Sequence, residues 1–388
     1  MIYIICFFLS VFFIWLGTKH CTKQQEDNGD RKQNKLKKLP VTIGILLPTL
    51  LAAFRDTSVG TDVGFYVVPY FNSAVRSISF WKYVAGLGGI AKQDLGYDLL
   101  NYIISRFTDD IGWLFFFTEL LIIVCIFAGC WILRFHFQPW TAMLFYYLIF
   151  YNMTLSTVRQ SCACAISFLA VTLALKFNFK RDKMMYPVGL IVLAMTFHAT
   201  AVFSAILLLI CWLVCTNKIR FLNIGLISIL GCILFRFASN YFLGLVLRMT
   251  QLLKIKYSTD SMLNANSVGA AGWTKVILLG LFVIFIQFFL LSFNKNDDLR
   301  NVNRAFLTLN MIYMGGMFFL AIFPFIPRMM YYIQMFWCLP LAQSGKITRN
   351  YFLYRFCVVA LTVSVVVTYW LSFYIIGGVH GTYPYIFR

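Results

Sequence analysis

Apolar runs of about 20 residues follow one another from one end of the chain to the other, and no polar block between them is long enough to build a core of its own. In hydrocarbon a segment must satisfy its own backbone hydrogen bonds, so each run is read as a transmembrane helix. Composition agrees: of 388 residues 61% are hydrophobic and only 12% charged, and mean hydropathy is +0.78. The expected fold class is an all-α polytopic membrane protein with a single integral membrane domain over residues 1–388. The first run, "MIYIICFFLSVFFIWLG", has no basic start and no small-residue cleavage site, so it reads as a retained span.

Spans are expected near 1–17, 41–54, 111–134, 137–151, 157–177, 184–197, 200–216, 219–237, 273–293, 304–323, 329–343 and 353–376, about twelve crossings (10–13). The stretch 184–216 can be drawn as a hairpin or as one long tilted helix. Loop charge sets the orientation. If residues 18–40, 134–136, 176–183, 216–220, 294–304 and 344–355 face the cytoplasm, they carry 20 of the 33 Lys and Arg, and both termini lie outside. The net charge of +19 is then explained by topology and anionic headgroups, and no nucleic acid is implied. The eleven cysteines sit mostly within apolar runs such as "CIFAGC" and "SCACAIS", as small packing residues without metal-ligand spacing.

Two outer segments are long enough for structure of their own. In 55–110, Leu95, Leu99, Tyr102, Ile103 and Phe107 share one helical face while Asp94, Asp98, Asn101 and Arg106 lean elsewhere, the pattern of an interfacial helix. A second outer loop, 238–272, opens with the basic amphipathic "LRMTQLLKIKY" and ends in a polar, glycine-containing stretch.

On this topology Arg55, Asp62, Arg159, His198 and Arg328 all fall at the outer ends of spans. Any one such arginine can simply snorkel to headgroups. Together they point to an anionic ligand, because several guanidinium forks can hold a diphosphate without metal, and nearby carboxylates can orient them or accept a proton. Pro324 and Pro327 suggest a broken helix before Arg328, and Gly60 a turn that brings Asp62 back toward Arg55, with Asp56 secondary. The small residues after Arg159 would admit a close neighbour. Glu119 inside an apolar run costs about 2.5–3.5 kcal/mol on insertion scales, so a partner in the bundle is expected. Asp109 and Asp110 suit a helix start. No nucleotide loop, HExxH, GxSxG or DxD pair occurs, and neither cofactor nor metal is called for.

The blocks "FRDTSVGTDVGFY", "DLGYDLLNYIISRF", "VRQSCACAISFLA", "FHATA" and "PRMMYY", in that order over residues 1 to about 345, resemble the EpsG family of bacterial exopolysaccharide and capsule proteins, related to Wzy-type O-antigen polymerases. Asp94 stands where an acidic residue usually precedes the "GY" element, with Leu95 where proline is common. The resemblance implies a GT-C-like bundle in the bacterial cytoplasmic membrane. Its substrates would be donor and acceptor glycans on undecaprenyl diphosphate, and its partners membrane lipids and a chain-length-regulating copolymerase. Carried onto this chain, Arg55, Arg159 and Arg328 would bind the diphosphate. Asp62, then His198, would orient an arginine or act as base, and Tyr66, Asp94 and Tyr97 would contact sugar. A lipid-linked glycan flippase, which should show inverted repeats, and an O-antigen-type ligase, which would use the same arginine chemistry, are the alternatives.

Overall fold

The computed structural model describes residues 1–19, 21, 36–88, 94–218, 223, 230, 270–293, 297–317, 326–346 and 352–388. Among these residues the chain is helical, with one isolated bridge between Arg55 and Phe387 in place of any strand. The first eleven helices are α1 (Ile2–Thr18), α2 (Lys38–Ala53), α3 (Val68–Arg76), α4 (Phe80–Gly86), α5 (Leu95–Ser105), α6 (Ile111–Ile132), α7 (Pro139–Tyr146), α8 (Asn152–Ser156), α9 (Val158–Lys176), α10 (Met185–Phe197) and α11 (Val202–Cys215). Helices Ala270–Phe293, Asp297–Met317, Ile326–Gln334 and Phe352–Trp370 follow.

Four described segments are long and apolar enough to cross a membrane: Ile111–Ile132, Val158–Lys176, Gly272–Ser292 and Phe352–Ile376. Ile2–Thr18, Lys38–Ala53 and Ala199–Cys215 are shorter apolar helices. The chain is a membrane protein. The expected span 219–237 lies almost wholly outside the described residues, as does the loop 238–272 up to residue 269.

Helix α9 is the central element because its side chains are small. Ser161, Cys162, Ala163, Cys164 and Ala165 are at most 1% exposed, which lets α6 and α10 come close on either side. Ser204 Oγ of α11 donates to Ser167 Oγ of α9 at 2.8 Å, a side-chain link between helices. Helices α7 and α8 are joined through a π-turn at Tyr147–Tyr151, so the expected span 137–151 runs on to Ser156. Phe352–Trp370, by contrast, leaves Phe352, Leu353, Tyr354 and Phe356 exposed, as a lipid-facing helix does.

The stretch 184–216 is a hairpin. It breaks at His198, whose backbone is extended (φ −163°, ψ 127°). His198 sits beside Asp94, whereas Cys215 Sγ reaches the Asn301 carbonyl at 3.8 Å. At that second end Asn303 Nδ2 donates to Gln343 Oε1 (3.1 Å) and Gln343 Nε2 to the His136 carbonyl (3.2 Å). Residues around 136, 215, 301 and 343, in or beside four of the loops grouped by their basic charge, therefore gather at one end of the bundle, and the polar residues singled out above gather at the other.

At that polar end α3, α4 and α5 form a cap. Tyr83, Val84 and Ala74 pack under Tyr102, and Arg106 Nη2 closes on the Ala74 carbonyl at 2.6 Å. Helix α5 buries Tyr97, Asp98, Asn101 and Ile104 and exposes Leu99 and Ile103, and Phe107 just beyond it is exposed too. Its apolar stripe faces outward, as an interfacial helix requires, and its polar face meets the protein.

Candidate functional site

Two glycines shape the polar end. Gly60 has φ +109°, a region closed to most residues, and a Cβ there would lie 2.6 Å from the Leu155 carbonyl oxygen. The turn therefore presses on the end of α8, where Thr61 Oγ1 and Ser156 Oγ share a hydrogen bond at 2.9 Å. Gly96 does the same for α5, since a Cβ would lie 2.2 Å from Thr196 Oγ1 of α10. That close approach carries Asp94 to His198.

The result is an open cleft of about 340 Å³ lined by Asp62, Tyr66, Val67, Ser156, Thr157, Val158, Arg159, Gln160, His198 and Arg328. Asp94 lies behind it and joins two of its walls. One carboxylate oxygen, Oδ2, accepts from Arg159 Nη1 at 3.0 Å and lies 3.3 Å from His198 Nδ1. An ionised carboxylate can only accept, so Nδ1 carries a proton, and in the neutral form of the ring Nε2 keeps its lone pair. The Arg159 guanidinium also sits over the rings of Tyr66 and Tyr70, 5.4 and 5.3 Å from their centroids, which holds the fork in one orientation. Gln160 Nε2 donates to the Arg328 carbonyl and so ties α9 to the helix bearing the second cation. Burial raises the Asp62 carboxyl above its usual range, and the charges of Arg328 and Arg159 oppose that rise.

Of the eight residues singled out from the sequence, Asp62, Tyr66, Arg159, His198 and Arg328 line this cleft and Asp94 bonds two of them. Two lie elsewhere. Arg55 is 2% exposed and is enclosed in the bundle: Nη1 donates to the Leu155 carbonyl at 2.6 Å and the guanidinium lies 4.2 Å from the Phe115 ring centroid. Its charge interacts with Glu119, whose two oxygens accept from Thr154 Oγ1 at 3.1 Å. Glu119 thus has the interior partners its position demanded. Tyr97 is fully buried, because α5 turns that face inward, with Gly96 against Thr196 of α10.

Other expectations are redirected. Asp62 shares the cleft lining with Arg328 and Arg159 and not with Arg55, and Asp56 caps its own turn by accepting from Ser58 N at 2.8 Å. Pro327 lies in the helix Ile326–Gln334, and Pro324, with the expected break before it, falls outside the described residues. Asp110, by contrast, does open a helix as expected, accepting from Gly112 N at 2.9 Å at the start of α6.

Four contributors were absent from the sequence reading of the site. Ser156 and Gln160 lacked any charge to mark them, and Tyr70 follows Tyr66 by one helical turn. Asp98, fully buried, is pushed up to about 7 by burial and by Asp94. Its Oδ2, the Tyr97 hydroxyl and Asn101 Oδ1 have no hydrogen-bond partner. Among the described residues, no group of three or more His, Cys, Asp or Glu is arranged to hold a metal.

Comparison with known proteins returns one family. No curated protein and no solved structure matches the chain. The EpsG family matches over residues 38–387, further toward the C-terminus than the motif blocks reach. The match covers both the cleft and the segment 377–387, and the chain belongs to the EpsG family.

Proposed function

We propose that the protein is a metal-independent Wzy-type glycosyltransferase. It would polymerise undecaprenyl-diphosphate-linked repeat units into exopolysaccharide, capsule or O-antigen at the outer face of the bacterial cytoplasmic membrane. On this reading the bundle is a GT-C-type scaffold of about twelve crossings. The observation that carries the proposal is the gathering of Arg159, Arg328, Asp62 and His198, from four distant parts of the chain, around one open cleft.

In the proposed reaction the acceptor sugar hydroxyl attacks the anomeric carbon of the donor glycan. The new C–O bond forms as the bond to the diphosphate oxygen breaks, and undecaprenyl diphosphate leaves with the bonding electrons. Arg328 and Arg159 receive that developing charge, and one such electrostatic contact is worth about 3–4 kcal/mol in the transition state. His198 takes the hydroxyl proton at Nε2, with Asp94 fixing its tautomer through Nδ1. This geometry favours His198 over Asp62 as base, and leaves Asp62 to orient the cations. Tyr66 offers an exposed ring edge to a sugar. Arg55 and Tyr97 are reassigned to supporting the cleft. A chain-length-regulating copolymerase is the proposed protein partner.

The test is to replace Arg159 and Arg328 separately by Ala, confirm expression, and analyse the lipid-linked glycans. Single repeat units that have crossed the membrane but are not extended are expected. Normal chain lengths in both variants would overturn the mechanism; units held in the inner leaflet would favour a flippase, and unligated long chains a ligase.

A further inference from the structure

Arg159 and Arg328 are held in the cleft by different means. The Arg159 fork is fixed at its own end, by Asp94 at 3.0 Å and by the rings of Tyr66 and Tyr70. Arg328 is exposed, and among the described residues no carboxylate lies within salt-bridge distance of it. What is tied down at Arg328 is the backbone, whose carbonyl accepts from Gln160 Nε2. Gln160 is 5% exposed, lines the cleft with both arginines, and directly follows Arg159 on α9.

The helix that carries Arg328, Ile326–Gln334, has other ties, further along. Thr200 Oγ1 and Tyr332 Oη share a hydrogen bond at 3.1 Å, and Gln334 Nε2 donates to Tyr313 Oη at 3.1 Å. Gln160 makes the tie at the cleft end. A carbonyl oxygen has two lone pairs, so it can take this bond beside one within its own helix. An amide that holds a backbone atom fixes a position and leaves the guanidinium its full charge, whereas a carboxylate on the fork would compete with an anionic ligand for it.

We infer that Gln160 is a positioning residue that sets the spacing of the two cations: by anchoring the Arg328 backbone to the residue next to Arg159, it readies one guanidinium for each phosphate of a diphosphate. The inference rests on the polymerase reading for the identity of the ligand. A single phosphate can be gripped by the Arg159 fork wherever Arg328 sits, because one fork already matches its oxygens. Two linked phosphates gain their second contact at full strength only if both forks stand at a set distance before the ligand arrives. With a loose backbone under Arg328, ordering it on binding would cost affinity. Gln160 therefore acts, through Arg328, on the choice between a diphosphate and a monophosphate.

The experiment uses the purified full-length protein in nanodiscs as wild type, Gln160→Met, Arg328→Ala and the double variant. It reads the apparent Kd for undecaprenyl diphosphate and for undecaprenyl monophosphate from lipid-dependent melting shifts, and polymer formation by the wild type from a lipid-linked repeat unit. Met keeps much of the length and bulk of Gln and removes the amide, so the apo melting temperature should hold. In Gln160→Met the diphosphate Kd is expected to rise about 10-fold, the scale of one hydrogen bond, and the monophosphate Kd to stay within about 2-fold of wild type. With Arg328 already replaced by Ala, the same change should move the diphosphate Kd by less than about 2-fold, because the group it positions is gone. Gln160→Asn keeps the amide but falls one methylene short of the carbonyl; it should lose the same selectivity, and it serves in place of a Met variant that does not fold. Equal weakening for both lipids would overturn the inference, as would the full Gln160→Met effect persisting without Arg328, or a wild type with no preference for the diphosphate. A wild type that prefers the diphosphate but makes no polymer would overturn the polymerase reading alone. A wild type that neither lipid stabilises would overturn both.

Discussion

Arg55 and Arg159 look alike in the sequence: each follows or opens an apolar run, each has small or polar neighbours, and each falls near the same end of the bundle. Their surroundings are opposite. Arg159 is held by one carboxylate and two aromatic rings and presents its remaining N–H groups to an open cleft. Arg55 spends its guanidinium on the Leu155 carbonyl, the Phe115 ring and the charge of Glu119, and has almost no exposure. The first is arranged to meet something that arrives; the second fixes the floor on which the Gly60 turn rests. A cation at a span end is therefore a ligand contact or a strut according to what distant segments fold over it.

The largest expected loss of stability is at the strut. Replacing Arg55 by Met takes a buried, charged hydrogen bond from the Leu155 carbonyl, which should cost about 2–3 kcal/mol, seen as loss of monodisperse protein in detergent. A folded but inactive R55M protein would erase the contrast and return Arg55 to the ligand.

Arg159→Ala should do the reverse. On the polymerase reading it should melt close to wild type and lose about 100- to 1,000-fold in turnover, measured with purified protein and lipid-linked repeat units. Collapse of its fold would show that the two arginines share one structural role.

A smaller effect is expected at the turn between them. Gly60→Ala forces a Cβ into φ +109° and against Leu155 O, and should destabilise by at least about 1–2 kcal/mol, read as a lower melting temperature. Unchanged melting would mean that the turn is not braced against α8, and that Arg55 supports nothing in the cleft.

The smallest concerns Asp98, behind Arg159. Its carboxyl titrates at about 7 in the fold against a usual 3.8, so between those values the native state holds a proton the unfolded chain has lost. Stability from this group is full below about pH 4, falls as pH rises, and is lost above about pH 7. Asp98→Asn should be the more stable protein at pH 8 by at least about 1 kcal/mol, with the advantage shrinking at pH 5. The same margin at both pH values would remove the titration and leave Arg159 with Asp94 as its working counter-charge.

What the sequence made legible is physical in origin. Asp62, Arg159, His198 and Arg328 could be assigned to one face because loop charge and span count determine which residues share a membrane surface, whatever the packing. Arg55 could not be separated from them, because its distinguishing partners, Glu119 and Leu155, lie far along the chain. The amphipathic pattern of α5 located its apolar stripe, but burial of Tyr97 and Asp98 follows from the packing of α5 onto α10 and its cap neighbours, which no periodicity describes. "GGVHGTYPYIFR" has no helical pattern, and its backbone pairing with 54–61 joins opposite ends of the chain.

The cleft is also small. Only about 340 Å³ of space, the solvent of its open mouth counted in, lies among its lining residues. On the polymerase reading it can grip a diphosphate and the sugar joined to it, but not the tens of residues strung beyond. The enzyme would then read a junction and be blind to tally: a chain of two units and a chain of fifty would present it with the same face. A preferred polymer length would have to be imposed from outside the cleft, by whatever holds or releases the far end of the product.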